Sequence, residues 1–248
     1  MFDDVIYIKG IKIHNTTFKE ILDNVPVLLK KNKPFHIITL NANMFYEAQR
    51  NEDYKYVINH ADLVVPDGAG IMLAAKLFGY KLKEKISGID LFKRLLFWID
   101  ENKEKVFFLG SSNFVMDKMV KIVHRGYKHL KIVGRHHGFF DAKREKDIVE
   151  AIRKTRPNFL FIGMGAFKQE IFAHNDKKEM QVPISMGVGG SFDVMAGKTL
   201  LAPNWIRKIG LEWVFRLLLN PKRITKVMKL PLFLIELIWY RIFKAKVL

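Results

Sequence analysis

Residues 64–72 read VVPDGAGIM, which places a single carboxylate, Asp67, on a glycine turn directly after a short apolar run. The run predicts a β-strand, so Asp67 falls at the carboxyl end of that strand. Two interpretations of Asp67 are open at this point. Asp is favoured at helix N-caps, where its oxygen accepts an unpaired backbone N–H. Open α/β sheets, however, bind ligands at the carboxyl ends of their strands, where a carboxylate can act as a catalytic base.

Three further segments combine small and polar residues after an apolar run: TLNAN (39–43), GMGAFKQE (163–170) and GVGGSFD (187–193). If they share one rim of a sheet, their backbone N–H groups predict a phosphate-bearing ligand. None matches GxGxxG with a following acid or a loop with GK[ST], so a dinucleotide oxidoreductase and a P-loop enzyme are not supported. A GxSxG nucleophile elbow is also absent from the sequence.

The elements that must position these segments alternate between short apolar runs and helical patterns. We expect a hairpin at 5–14 and a helix from Phe18 to about Lys31, with Pro26 as a kink or a break. The predicted strands that follow are 35–40, 61–65, 105–110, 130–134, 158–165 and 182–189. This alternation predicts an α/β fold, a Rossmann-like, mostly parallel sheet sandwiched by helices. Continuously apolar strands such as FLFI favour a sheet covered on both faces.

The composition changes near residue 198. The whole chain of 248 residues carries a net charge of +17, which predicts an anionic partner. Residues 198–248 contain eleven Lys or Arg against Glu212 and Glu236, and they interleave this charge with Trp, Leu and Phe. We therefore expect a Rossmann-like core over 1–197 and a basic amphipathic helical C-terminal appendage over 198–248.

Three interpretations of the appendage are open. Basic helices with large apolar residues typically lie in the membrane interface, which is the favoured interpretation. The apolar residues can instead pack on the core or on a second subunit, which would make the protein a homo-oligomer. A true span is disfavoured, because the apolar stretch 230–243 is shorter than the ~20 residues that a bilayer requires. A nucleic-acid partner is not expected, since no recognisable binding motif accompanies the charge.

Other features limit the class of protein. The chain has no cysteine, so disulfides and thiolate metal sites are excluded and a reducing setting is expected. No group of His, Asp and Glu has the spacing of metal ligands, and we expect neither a bound metal nor a cofactor. The N-terminal residues MFDDVIYIKGIKIH do not form a signal peptide, so secretion is not expected.

The chain resembles the WecG/TagA/CpsF family (glycosyltransferase family 26) in seven segments that follow in order over nearly its whole length: TLNANMFYEAQRN (39–51), ADLVVPDGAGI (61–71), KISGIDLF (85–92), GFF (138–140), GMGAFKQE (163–170), GVGGSFDVMAG (187–197) and APNWIRKIGLEWVFRLLLNPKR (202–223). Within the family, the similarity is greatest to the TagA-like N-acetylmannosaminyltransferases of wall teichoic acid synthesis.

The resemblance implies an inverting, metal-independent glycosyltransferase. Such an enzyme moves N-acetylmannosamine from UDP to the 4-hydroxyl of N-acetylglucosamine on undecaprenyl diphosphate, in a β-1,4 linkage. It would be cytoplasmic and peripherally bound to the inner face of the cell membrane, and its appendage would bind the anionic membrane surface and complete the active site. Alternatives are another UDP-sugar or lipid-linked acceptor, such as N-acetylmannosaminuronic acid or glucuronic acid transfer, and, less favoured, a non-catalytic membrane scaffold.

Motif positions also carry residue roles over from the family. Asp67 takes the role of general base, which now becomes the favoured interpretation of the PDGAG turn. Thr39, Asn41 and Gln169 are implied to face the substrate in the pocket.

The remaining implied roles concern UDP and the diphosphates. Asp193 and Phe139 would hold the ribose and the uracil of UDP. Lys85 stands where relatives usually carry Arg, and it therefore offers a point charge where Arg would grip a diphosphate with two hydrogen bonds. Arg216 and Arg223 match basic residues of the appendage that are thought to meet the diphosphate.

Overall fold

The computed structural model describes residues 1–219 and 229–243. Its centre is a six-stranded sheet with the order β4-β3-β8-β7-β5-β6, in which every neighbouring pair is parallel. The strands are β3 Phe35–Leu40, β4 Leu63–Pro66, β5 Lys105–Gly110, β6 Lys131–His136, β7 Phe159–Gly163 and β8 Ile184–Gly187. A separate antiparallel hairpin is formed by β1 Val5–Ile8 and β2 Ile11–His14.

Helices cover both faces of the sheet. They are α1 Phe18–Lys31, α2 Ala42–Ala48, α3 Glu52–His60, α4 Gly68–Leu77, α5 Gly88–Glu101, α6 Asn113–Gly126, α7 Ala142–Thr155, α8 Lys168–Asn175, α9 Lys177–Met180, α10 Ser191–Met195, α11 Asn204–Lys208, α12 Glu212–Leu219 and α13 Lys229–Phe243. Helices α1, α5, α6 and α10 share one hydrophobic cluster with the sheet. The hairpin, α2 to α4, α7 to α9 and α13 supply the clusters on the opposite face. The predicted α/β fold class is confirmed.

Two local differences from the sequence prediction have simple causes. Helix α1 runs without a break through Pro26, because it is fixed at its start by a capping box between Thr17 and Glu20 and buries an apolar face. Helix α3 was not predicted, since among its nine residues only Tyr54, Val57 and Ile58 are buried. Its weak apolar pattern gives little periodic signal.

Strand β4 lies at an edge of the sheet, which explains how it can end in Pro66, a residue without an N–H. The hairpin protects this edge, since His14 Nδ1 accepts the Val64 N–H at 2.9 Å. Burial, followed by the charge of Lys12, lowers the pKa of His14 to about 4. The ring is therefore neutral and available as an acceptor at neutral pH.

The C-terminal helix α13 packs its buried side chains Phe233 and Leu237 against α2 and α4. The rings of Phe45 and Phe233 meet edge to face with centroids 5.2 Å apart. Ion pairs between Lys229 and Glu47 and between Arg50 and Glu236 flank this contact. None of the helices within 1–219 and 229–243 is both long and apolar enough to cross a membrane.

Candidate active site

Asp67 stands at the N-cap position of α4, yet its side chain makes no capping hydrogen bond to that helix. Its Oδ2 instead accepts the N–H of Gly88, the first residue of α5, at 3.3 Å. The carboxylate is half-buried at the carboxyl end of β4. The side chain therefore points toward the start of a neighbouring helix and does not cap its own.

Thr39 and Gly88 complete the surroundings of this carboxylate. Thr39 lies near the end of β3, next to β4 in the sheet, and is 9% exposed. A Cβ placed on Gly88 would lie 2.8 Å from Thr39 Oγ1 and 3.4 Å from Asp67 Oδ2. Glycine at position 88 is therefore what lets the start of α5 approach both side chains.

Asn41, two residues beyond Thr39, begins helix α2. Its Oδ1 accepts the N–H groups of Asn43 and Met44 at 3.0 and 3.1 Å, so that oxygen is used in an N-cap. The cap fixes the direction in which the chain leaves β3.

The turns after β7 and β8 form the other half of this rim. Gln169, on the first turn of α8, is 4% exposed, and its Oε1 accepts the Gly189 N–H at 3.0 Å. A Cβ added at Gly165, Gly189 or Gly190 would meet nothing within 4 Å, so backbone at both turns borders open space. Because parallel strands end at one edge, these turns and Asp67 share the rim that the sequence predicted.

Asp193 and Phe139 also lie at this edge but are less enclosed. Asp193, in α10, is half-buried, and its Oδ1 pairs with Lys198 Nζ at 3.1 Å. Phe139 follows β6 and is 75% exposed, so the protein itself provides little cover for its ring. An exposed aromatic ring is suited to stacking on a planar ligand.

The appendage reaches this rim through Arg207, a residue that the sequence did not single out. Its guanidinium pairs with Asp90 and donates to Ser87 Oγ at 3.2 Å, both at the start of α5. Lys85 Nζ donates to the Arg207 carbonyl oxygen at 2.9 Å. The predicted diphosphate ligand Lys85 thus contacts the appendage in this structure.

A second contact brings the appendage to the Asp67 turn. Gly210, with φ at +80°, lies so close to α4 that an added Cβ would be 2.7 Å from the Cβ of Ala69. Arg216 lies in α12, and Arg223 falls outside the described residues. Asp67 is therefore surrounded by β3 and the start of α5, and the appendage contacts the same turn at Ala69.

Glu170 was quoted in the GMGAFKQE segment without a role, and the structure places it in the interior beneath this rim. It is 1% exposed, and burial raises its pKa to about 7. A carboxylate beside Gln in a glycine segment was the only signal for it in the sequence. Within the described ranges, no three His, Cys, Asp or Glu side chains are grouped so that they could hold a metal ion.

Comparison with known proteins identifies the class to which this arrangement belongs. The model of the glycosyl transferase WecG/TagA/CpsF family matches residues 6–247. The chain belongs to this family. It is a glycosyltransferase, as the resemblance of its motifs indicated.

Curated members of the WecG/TagA/CpsF family are similar over most of the chain. A Bacillus spizizenii protein is 34% identical over 203 residues, covering 82% of this chain and 78% of its own. A Staphylococcus aureus protein is 32% identical over 241 residues, covering 96% of this chain and 92% of its own. Both are named N-acetylglucosaminyldiphosphoundecaprenol N-acetyl-β-D-mannosaminyltransferase.

Proposed function

We propose that this protein transfers N-acetylmannosamine from UDP-N-acetylmannosamine to the 4-hydroxyl of N-acetylglucosamine carried on undecaprenyl diphosphate. The product would be the β-1,4-linked disaccharide of the wall teichoic acid linkage unit, formed with inversion. The relatives named for this transfer support the proposal. The single structural observation that carries it is the half-buried Asp67 carboxylate beside Thr39 and Gly88, on a rim whose glycine turns border open space.

Asp67 is the general base of this reaction. An inverting transfer requires a base that takes the proton of the acceptor hydroxyl as its oxygen attacks the anomeric carbon. Carboxylate side chains act as general bases in such steps. Thr39, near the end of β3, and Asn41, directly after β3, orient the reacting sugars.

Positive charge and N–H dipoles stabilise the departing UDP diphosphate in place of a metal ion. The glycine turns after β7 and β8, together with Lys85, Arg216 and Arg223, supply them. Gln169 acts at the same turns, Asp193 holds the ribose and Phe139 stacks on the uracil. Lys85 would then exchange its bond to the Arg207 carbonyl for one to a phosphate.

Residues 198–248 act as the membrane-binding appendage of the catalytic core 1–197, on the cytoplasmic face. On α13, the side chains opposite the buried Phe233 are exposed: Ile235 by 62% and Trp239 by 54%. A helix with one face on the protein and large apolar residues on the other is suited to the membrane interface. Each Lys or Arg near an anionic bilayer contributes ~1 kcal/mol.

The reaction is tested by UDP release from the full-length protein. UDP-N-acetylmannosamine and a short-chain polyprenyl diphosphate carrying N-acetylglucosamine are supplied without divalent metal, and we expect turnover that requires both substrates. Parallel reactions contain UDP-N-acetylmannosaminuronic acid or UDP-glucuronic acid. Faster turnover with either of these would keep the reaction class and replace the donor, whereas no release with any donor would contradict the proposal.

The membrane assignment has its own test. Trp239→Glu should reduce co-sedimentation with anionic liposomes several-fold and leave the melting temperature unchanged, because the ring is exposed. Phe97→Glu is the matched control, since Phe97 is 62% exposed on α5, in the opposite helical layer. Equal losses in the two variants would argue against the appendage as the membrane-binding surface. A concentration-dependent dimer that Trp239→Glu dissolves would indicate a homo-oligomer contact instead.

A further inference from the structure

Beneath the rim, the Glu170 carboxylate accepts hydrogen bonds from three groups, two in its own turn and one on α3. Its Oε2 accepts the Phe167 N–H at 2.7 Å and the Tyr54 hydroxyl of α3 at 3.2 Å. Its Oε1 accepts from Gln169 Nε2 at 2.6 Å. All three neighbours donate in this arrangement, and the ionised carboxylate can accept from them on both of its oxygens.

The hydrogen bonds continue from Glu170 to the glycine turn after β8. Gln169 donates to Glu170 with its Nε2 and accepts the Gly189 N–H with its Oε1, so both ends of its amide are used. The chain of bonds therefore has one direction, from Gly189 through Gln169 to Glu170. Gly187 makes room for it, because a Cβ there would lie 2.6 Å from Gln169 Nε2 and 2.7 Å from Glu170 Oε1.

The Glu170 carboxylate also binds a residue whose backbone conformation is strained, Phe167. Phe167 has φ at +80°, a region that bulky residues rarely adopt and that costs about 1–3 kcal/mol. Its N–H is bound by Glu170, and its ring lies 5.0 Å from that of Tyr54. Glu170 thus sets the shape of the turn after β7 directly and of the turn after β8 through Gln169.

We propose that Gln169 and Glu170 are positioning residues that fix the Phe167 and Gly189 turns in the shape that receives the donor's diphosphate. The inference rests on the proposed function and refines it, because Gln169 then acts through the Gly189 backbone. Gly189 and its neighbour Gly190 border open space, so a ligand can approach the backbone that these residues hold. The substrate class that the turns serve is a nucleoside diphosphate.

The direction of the bonds makes a sharp prediction for Glu170→Gln. The new amide must place its NH₂ either against the Phe167 N–H, which can only donate, or against the NH₂ of Gln169. If Gln169 rotates to avoid this clash, its own NH₂ faces the Gly189 N–H. An isosteric change should therefore loosen the Gly189 turn, although it removes no atoms from the buried cluster.

Exchanging the two residues restores every donor and acceptor. In the double variant Gln169→Glu with Glu170→Gln, the carboxylate at 169 accepts from Gly189 and from the new amide at 170. The oxygen of that amide accepts from Phe167 and Tyr54. The double variant therefore has the same net charge and the same number of donors and acceptors as the wild type.

The experiment measures UDP binding by calorimetry, donor KM and kcat, and amide exchange at Gly189 by NMR. For Glu170→Gln we expect UDP affinity and donor KM to worsen about tenfold, with kcat nearly unchanged and faster exchange at Gly189. The double variant should regain slow exchange and most of the UDP affinity. Tyr54→Phe is the control, because it removes one donor to Glu170 without touching the path to Gly189, and its UDP affinity should equal that of the wild type.

Two results would overturn the inference. One is a Glu170→Gln variant with wild-type UDP affinity and Gly189 exchange, and the other is a double variant no better than the single one in exchange. A wild type that binds no UDP would instead overturn the proposed function and the diphosphate assignment with it. The exchange rates would then still decide whether Glu170 directs the Gly189 turn.

Discussion

Polar side chains lie at both ends of strands β3 and β4, but their surroundings differ between the two ends. At the amino end, Asp62 accepts the His36 N–H at 2.7 Å and pairs with Lys177. Lys12 donates to the Ala61 carbonyl at 2.7 Å, so this end is tied to β2 and α9. At the carboxyl end, Asp67 and Thr39 lie close to Gly88, the first residue of α5, beside glycine turns that border open space.

Residues at the amino end of this sheet stabilise the fold, whereas residues at the carboxyl end form the candidate active site. The amino end uses its charges to join elements of the fold. The carboxyl end has short side chains and glycines, which leave space for a ligand but contribute less packing. Ligand sites in open α/β sheets lie at carboxyl ends for this reason, since the connecting turns there can vary without disturbing the core.

The largest expected effect is at Asp67. Asp67→Asn should lower kcat by ~10²–10⁴-fold, because an amide cannot take the proton of the acceptor hydroxyl. The melting temperature and UDP affinity should remain close to those of the wild type. Asp53→Asn, an exposed carboxylate on α3, is the control and should retain full turnover. Unimpaired turnover in Asp67→Asn would mean that Asp67 only positions substrate.

A second change tests the geometry around Asp67 without removing it. In Gly88→Ala the new Cβ would lie 2.8 Å from Thr39 Oγ1, so the start of α5 must shift away from Asp67. Displacements of this size cost up to ~10²-fold in rate. Gly126→Ala is the matched control on α6, where an added Cβ meets nothing within 4 Å. Equal kinetics of the two variants would show that the contact at Gly88 is unimportant.

At the amino end we expect a loss of stability and not of activity. Asp62→Ala removes the acceptor for the His36 N–H and the partner of Lys177, and it should lower the free energy of unfolding by ~1–3 kcal/mol. Turnover per folded molecule should be unchanged, as measured below the melting transition. Loss of kcat in a fully folded Asp62→Ala protein would contradict the separation between the two ends.

The smallest effect concerns pH and His36. Burial, aided by Lys177 and His174, lowers the pKa of His36 to about 3, and neither ring nitrogen has a hydrogen-bond partner. Below about pH 6.5 His36 binds a proton in the unfolded chain but stays neutral in the folded chain. The folded state therefore loses stability as the pH falls from 6.5 toward 3. The slope is at most ~1.4 kcal/mol per pH unit.

The contribution of His36 to the pH dependence of stability is measured as a difference between two proteins, because Glu170 and Asp176 have the opposite effect on stability. The raised pKa of Glu170, about 7, and of Asp176, about 6, make folding bind protons in the same range. His36→Leu should therefore gain stability relative to the wild type as pH falls below 6.5, in denaturant titrations at several pH values. If the free energies of unfolding of the two proteins change equally with pH, His36 does not take up a proton on unfolding.

Sequence patterns predicted the sheet and the rim well, for a physical reason. Strands such as 35–40 and 105–110 are mostly apolar because both of their faces are buried, and the structure has them over the same residues. The appendage was predicted as basic, amphipathic and helical, but the residues through which it docks were not predicted. Its docking through Phe233 and Arg207 depends on partners on α2 and α5 that are more than a hundred residues away in the chain.

The sequence by itself determined the α/β class, the glycine turns at the strand ends and the family, because periodicity and motif spacing depend only on residues that are close together in the chain. Only the tertiary structure decided that Asp67 bonds to Gly88 and does not cap α4, and that Lys85 contacts Arg207. It also revealed the directed bonds from Gly189 to Glu170. Direction and burial of polar groups arise from contacts between distant segments, which no local pattern encodes.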